Sequence, residues 1–231
     1  MSDKATHEGP RYPWLHWGAI MTGLYLVLLL TMTMPFLMAA FPQMRQIERI
    51  PWEFFVNVPY PLFLGLVLIS QFLLIRVPVR LRVGRPVSRS GLWLPILATG
   101  FWMGCLLMGG ILSGIEYFMT LEAAENPGDY WLLWTGLPLL LWGGWTVVFW
   151  RWSGRMDPRS LMERQQTWML RGSVLELLVA VPTHIVARGR TECCAGFLTF
   201  FGLTMGVTVM LLAFGPAVFV LFYARWRRLR G

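Results

Sequence analysis

The sequence predicts an all-α polytopic membrane protein, a bundle of six transmembrane helices, and three observations predict it. Of 231 residues, 56% are apolar and only 14% charged, with a mean hydropathy of +0.54, whereas soluble domains carry about 25% charged residues. Apolar runs recur at the length of about 20 residues that a helix needs to cross a bilayer core. The basic residues gather between alternate runs, as they do where loops stay in the cytoplasm. High hydropathy and low charge exclude a disordered chain. Three cysteines are too few to staple a chain of this length as a disulfide scaffold.

The first run is Trp17 to Phe41, the second Phe54 to Ile75 and the third Leu92 to Ile115. The fourth is Trp131 to Trp150, and the last is Phe197 to Ala224. Charge, Pro or Gly clusters bound each one, and none alternates with the period of a barrel strand. Together the runs form a single integral membrane domain over residues 1–231, with no soluble domain and a longest loop at 151–171. Residues 1–13 are polar and the apolar run that follows is too long for a cleaved leader, so a signal-anchor is expected.

The sixth span, 168–187, is the least regular. Its apolar part, 172–187, carries Glu176, Pro182 and His184, and it reaches spanning length only if Arg171 snorkels. Ser173, Glu176, Ala180, Thr183 and Ala187 share one narrow helical face, with Leu, Val and Ile opposite. A bundle helix with a polar inner stripe has this pattern, and so does a helix lying in the interface. The alternative is therefore five spans plus an interfacial or re-entrant helix at 172–187.

Charge favours six spans. With the N-terminus inside, sixteen of the 20 basic residues fall inside, and Arg45, Arg49, Arg188 and Arg190 fall outside. If 172–187 does not cross, the division becomes fourteen against six. The six-span order places both termini in the cytoplasm, and the bacterial inner membrane is the expected site. The acids agree, since Glu116, Glu122, Glu125 and Asp129 fall in one outside loop free of basic residues. The net +8 then becomes a basic cytoplasmic face that attracts anionic lipid. No interleaved basic and aromatic surface suggests nucleic acid. Trp14, Trp17, Trp52, Trp93, Trp131, Trp150, Trp152 and Trp226 mark span ends, where the amphipathic indole suits the headgroup layer.

Few residues offer chemistry. Gly100 with Gly104, Gly110 with Gly114, and Gly202 with Gly206 are small-xxx-small pairs. Such pairs let helix backbones approach, within the bundle or against another subunit. Gly215-Pro216 is a candidate helix break of the kind that lines transporter sites. Glu176 is the one acid well inside a span, and an ionisable group there costs about 2.5–3.5 kcal/mol on insertion scales. It needs a partner, with Arg171 or Ser173 as structural candidates, or a function shared with His184 two turns on. Cys193 and Cys194 are adjacent in 188–196, near His184, but adjacent thiols lack the C-x-x-C spacing of a metal grip. No metal site is therefore expected, and no cofactor is indicated.

With three histidines and a single lysine, Lys4, bis-histidine haem and phosphate-loop chemistry lack their ligands. No G-x-S-x-G elbow and no H-E-x-x-H helix occurs. These features argue against an enzyme. The leading expectation is an accessory, scaffold or assembly subunit with a membrane-protein partner or a second copy of itself. The alternatives are a small transporter or channel with a midplane site at Glu176 and His184, and a membrane metalloenzyme or thiol enzyme using His184, Cys193 and Cys194.

Overall fold

A computed structural model describes residues 59–82, 87–118, 135–190 and 195–230, together with Ile20, Gly23, Leu24 and Val27, which are helical. Five long helices make up the described part: α1 (Pro59–Arg82), α2 (Trp93–Phe118), α3 (Leu137–Ser153), α4 (Pro158–Arg188) and α5 (Phe197–Arg230). Four of the apolar segments, in α1, α2, α4 and α5, are long and apolar enough to cross a membrane. The first expected span, apart from those four helical residues, lies outside the described residues, as do Glu122, Glu125, Asp129, Cys193 and Cys194.

Prolines start several helices where a missing N–H costs nothing. Pro59 opens α1, Pro95 and Pro138 sit in the first turns of α2 and α3, and Pro158 opens α4. A short 3₁₀ turn, Arg89–Leu92, feeds α2 from Ser88, whose Oγ accepts from the Gly91 N–H at 3.3 Å.

The expected loop 151–171 is mostly helix. Chain direction reverses over residues 154–157, and α4 then runs for 31 residues, about 46 Å at about 1.5 Å per residue. Asp157 caps it, accepting from the Ser160 N–H at 3.1 Å and the Ser160 hydroxyl at 2.6 Å. Its first turns are polar and carry the exposed Arg159–Glu163 pair at 3.1 Å. A search for apolar runs passes over such a segment, although Asp-Pro is a helix-start signal.

The helices alternate in direction between two ends. At one end the Arg89 guanidinium lies over the Trp150 ring at 4.8 Å, and Trp93 meets Trp150 edge to face. At the other, Arg190 and Gly196 bond to Glu116. Segment 172–187 therefore runs between the two ends alongside α2 and α5, rather than across one of them. Its small and polar stripe turns inward, with Ser173, Glu176, Ala180 and Ala187 buried, while Leu175, Leu178 and Ile185 on the opposite side are exposed. The apolar window of α2 is 61% buried and that of α4 is 22% buried, so α2 is central and α4 peripheral.

The core runs along α1, α2, α4 and α5 through Val67, Leu74, Ile96, Trp102, Leu161, Met169, Val209 and Leu212. Trp145, Phe149, Trp152 and Trp168 form an aromatic cluster where α3 meets α4, with Trp145 and Phe149 stacked. Arg164 lies over Trp152 at 4.1 Å, close enough for a cation–π contact.

Candidate functional site

Glu176 lies where α2, α4 and α5 meet, 6% exposed. The three helices approach this closely because α2 and α5 present glycine. A methyl group on Gly202 would stand 2.5 Å from Ser113 Oγ, 2.6 Å from Glu176 Oε1 and 2.9 Å from the Gly109 carbonyl oxygen. On Gly110 it would stand 2.7 Å from Glu176 Oε2, and on Gly109 it would stand 2.8 Å from the Gly202 Cα. The carboxyl thus lies against the backbones of two other helices. Glu176 Oε1 and Ser113 Oγ have no hydrogen-bond partner among the described residues. Neither expected structural partner holds Glu176: Ser173 donates to the Leu170 carbonyl at 2.9 Å, and Arg171 is exposed.

Toward the Glu116 end lies a second polar group. Glu116 is in the last turn of α2, not in a loop, and is 2% exposed. Its Oε1 accepts from the Gly196 N–H and its Oε2 from the Thr199 N–H, both at 2.6 Å. These are N–H groups at the start of α5, which have no partner within that helix. A carboxylate there also meets the positive end of the helix dipole. In return Arg190 donates to the carbonyls of Glu116 and Tyr117, each at 2.9 Å, closing the exposed C-terminal end of α2.

His184 Nδ1 lies 2.9 Å from Thr199 Oγ1, and the Thr199 hydroxyl donates to the Gly196 carbonyl at 3.1 Å. The Thr199 hydroxyl is thus shared between the His184 imidazole and the Gly196 carbonyl, and the ring tautomer sets which partner donates in the imidazole contact. Gly196 makes the turn into α5 with φ +94°, where a side chain is strained. A Cβ there would also stand 2.9 Å from Arg188 Cδ.

The glycines singled out in the sequence divide among partners. Gly100 faces the Thr146 side chain and backbone, and Gly104 the Trp142 backbone, so both seat α3. Gly110, Gly202 and Gly206 face Glu176, and Gly206 also meets Leu177. Gly114 has nothing within 4 Å. Gly215 and Pro216 lie inside an uninterrupted α5, and the expected break is absent. The amide of Gln71 from α1 contacts Gly215. Glu176 and His184 do not share one site, because His184 belongs to the Glu116 network.

Other buried polar groups carried no signal in the sequence. Ser113, Gln71 and Gln165 are buried, and atoms of each lack a partner among the described residues. Ser113 lies between Gly110 and Gly114, and a hydroxyl there reads as one more small residue. No group of three or more His, Cys, Asp and Glu side chains among the described residues is arranged to hold a metal.

The described part is that of an all-helical integral membrane protein with a buried carboxyl at a three-helix junction. Compared with protein-family models, with curated proteins and with solved structures, the chain shows no significant match.

Proposed function

We propose that the protein is a six-span accessory or assembly subunit of a cytoplasmic-membrane complex, with both termini on the cytoplasmic side. The use of its polar side chains supports this reading. Glu116, Arg190, His184 and Thr199 fasten helix ends to one another, while α4 turns Leu175, Leu178 and Ile185 outward. Glycine pairs seat α3, α4 and α5 within the chain, so a partner would meet this outer apolar face. The arginines near the Trp150 end, Arg89, Arg151, Arg155, Arg159 and Arg164, supply the attraction to anionic lipid.

Photo-crosslinking from positions 175, 178 and 185 in native membranes tests the proposal. A stoichiometric adduct with one membrane protein, or with a second copy of the chain, is the expected result. Adducts with lipid alone, from a protein that purifies as a monomer, would remove the subunit reading. Labelling Cys193 and Cys194 with an impermeant thiol reagent in intact cells, with Cys105 replaced, tests the topology. Six spans require labelling from outside.

The transporter reading has one observation in its favour, the unpartnered Glu176 carboxyl. Under that reading Glu176→Gln inserts normally but abolishes flux, whereas an assembly subunit keeps its complex.

A further inference from the structure

We infer that Glu176, Ser113 and the Gly109 carbonyl form a buried proton-binding site at the junction of α2, α4 and α5. The carboxyl there holds a proton, which it donates to Ser113 Oγ while Ser113 donates to the Gly109 oxygen. Three oxygens, Glu176 Oε1, Ser113 Oγ and the Gly109 carbonyl, surround the same side of the Gly202 Cα. Ser113 is fully buried, and both its hydroxyl and Glu176 Oε1 are unpartnered. A proton on the carboxyl lets the two unpartnered oxygens, Glu176 Oε1 and Ser113 Oγ, pair as donor and acceptor. It also removes a net charge that no described cation offsets.

The surrounding helices offer no titratable competitor among the described residues. Facing Glu176 are Gly109, Gly110 and Ser113 from α2, and Gly202 and Gly206 from α5. Further along α2, Glu116 is occupied by Gly196 and Thr199, and Cys105 lies one turn before Gly109. On α4 itself Arg171 and Arg188 are exposed, and His184 bonds to Thr199. Arg76 of α1 and Arg151 of α3 lie toward the Arg89 end.

Glycine contact makes the site responsive. The glycine approach sets two helix backbones against the carboxyl, so loss of the proton is expected to displace the carboxyl or open the α2–α5 contact. The site thereby ties helix packing to proton occupancy, a property separate from the subunit reading above.

Infrared difference spectroscopy of the purified protein in lipid, wild type minus Glu176→Gln, tests this. The expected result at neutral pH is a protonated-carboxyl stretch that shifts in heavy water. Carboxylate bands in its place would overturn the inference. Loss of the acid band on adding sodium at constant pH would do the same, by making the site one for a metal cation. If the variant fails to fold, carbodiimide modification of the wild type serves instead, since the reagent takes up the carboxyl proton before the oxygen adds to it. An adduct on Glu176 that declines as pH rises supports the site, and adducts confined to other carboxyls overturn it. Crosslinking to a partner is read separately, so either proposal can fail alone.

Discussion

The Glu116 carboxylate, in the last turn of one helix, accepts the backbone N–H of Thr199 in the first turn of another at 2.6 Å. Its second oxygen takes the Gly196 N–H at the same distance. Glu116→Ala removes an anionic cap and leaves two buried donors unpaired. A loss of about 2–6 kcal/mol is expected, from about 1–3 kcal/mol for each of the two unsatisfied buried groups. Reversible unfolding in mixed detergent measures it. Glu116→Gln should lose less, because its amide oxygen still accepts one bond.

Thr199→Val keeps the shape of the buried side chain but removes the hydroxyl that bonds to both His184 and the Gly196 carbonyl. A cost of about 1–2 kcal/mol is expected in the same assay. Combined with Glu116→Ala, it should fall short of additive, since both act on the start of α5.

Gly202→Ala places a methyl group within 2.9 Å of three oxygens, one of them backbone. Overpacking of this kind costs about 1–3 kcal/mol, and the α2–α5 contact should loosen. Gly143→Ala is the control: that helical position has nothing within 4 Å. There alanine should leave stability unchanged or raise it by about 0.5–1 kcal/mol. Equal losses at both positions would show that helix contact is not what selects glycine.

Hydrogen bonds from the Ser160 hydroxyl and then from the Ser160 N–H hold the Asp157 carboxyl below its ordinary range. A folded value lowered in this way gives stabilisation present above the ordinary carboxylate range and lost as pH falls through the lowered value. The first turn of α4 should therefore fray in acid. Hydrogen exchange across residues 157–163 should show that acid-dependent fraying in the wild type. Asp157→Asn should remove the pH dependence while retaining part of the cap.

Helical class, the apolar runs and the stripe of small and polar residues on 172–187 were all legible without coordinates. They depend on composition and period, which a local window contains. Helix ends were less legible. The third apolar run ends at Ile115, yet α2 continues to Phe118, and this puts Glu116 inside the bundle. Its partners, Gly196 and Thr199, are about 80 residues away in the chain, and no local window links them.

The sequence by itself determined that Glu176 would lie in an apolar helix at high electrostatic cost, because hydropathy and charge are properties of the chain. It left open whether that helix belongs to the bundle or lies in the interface, since one amphipathic pattern serves both. Tertiary packing decided this. Glycines on α2 and α5 open a groove against which the narrow polar stripe of α4 packs. The same packing drew His184 away from Glu176 to Thr199, because a side chain's hydrogen-bond partner is set by which helix lies beside it.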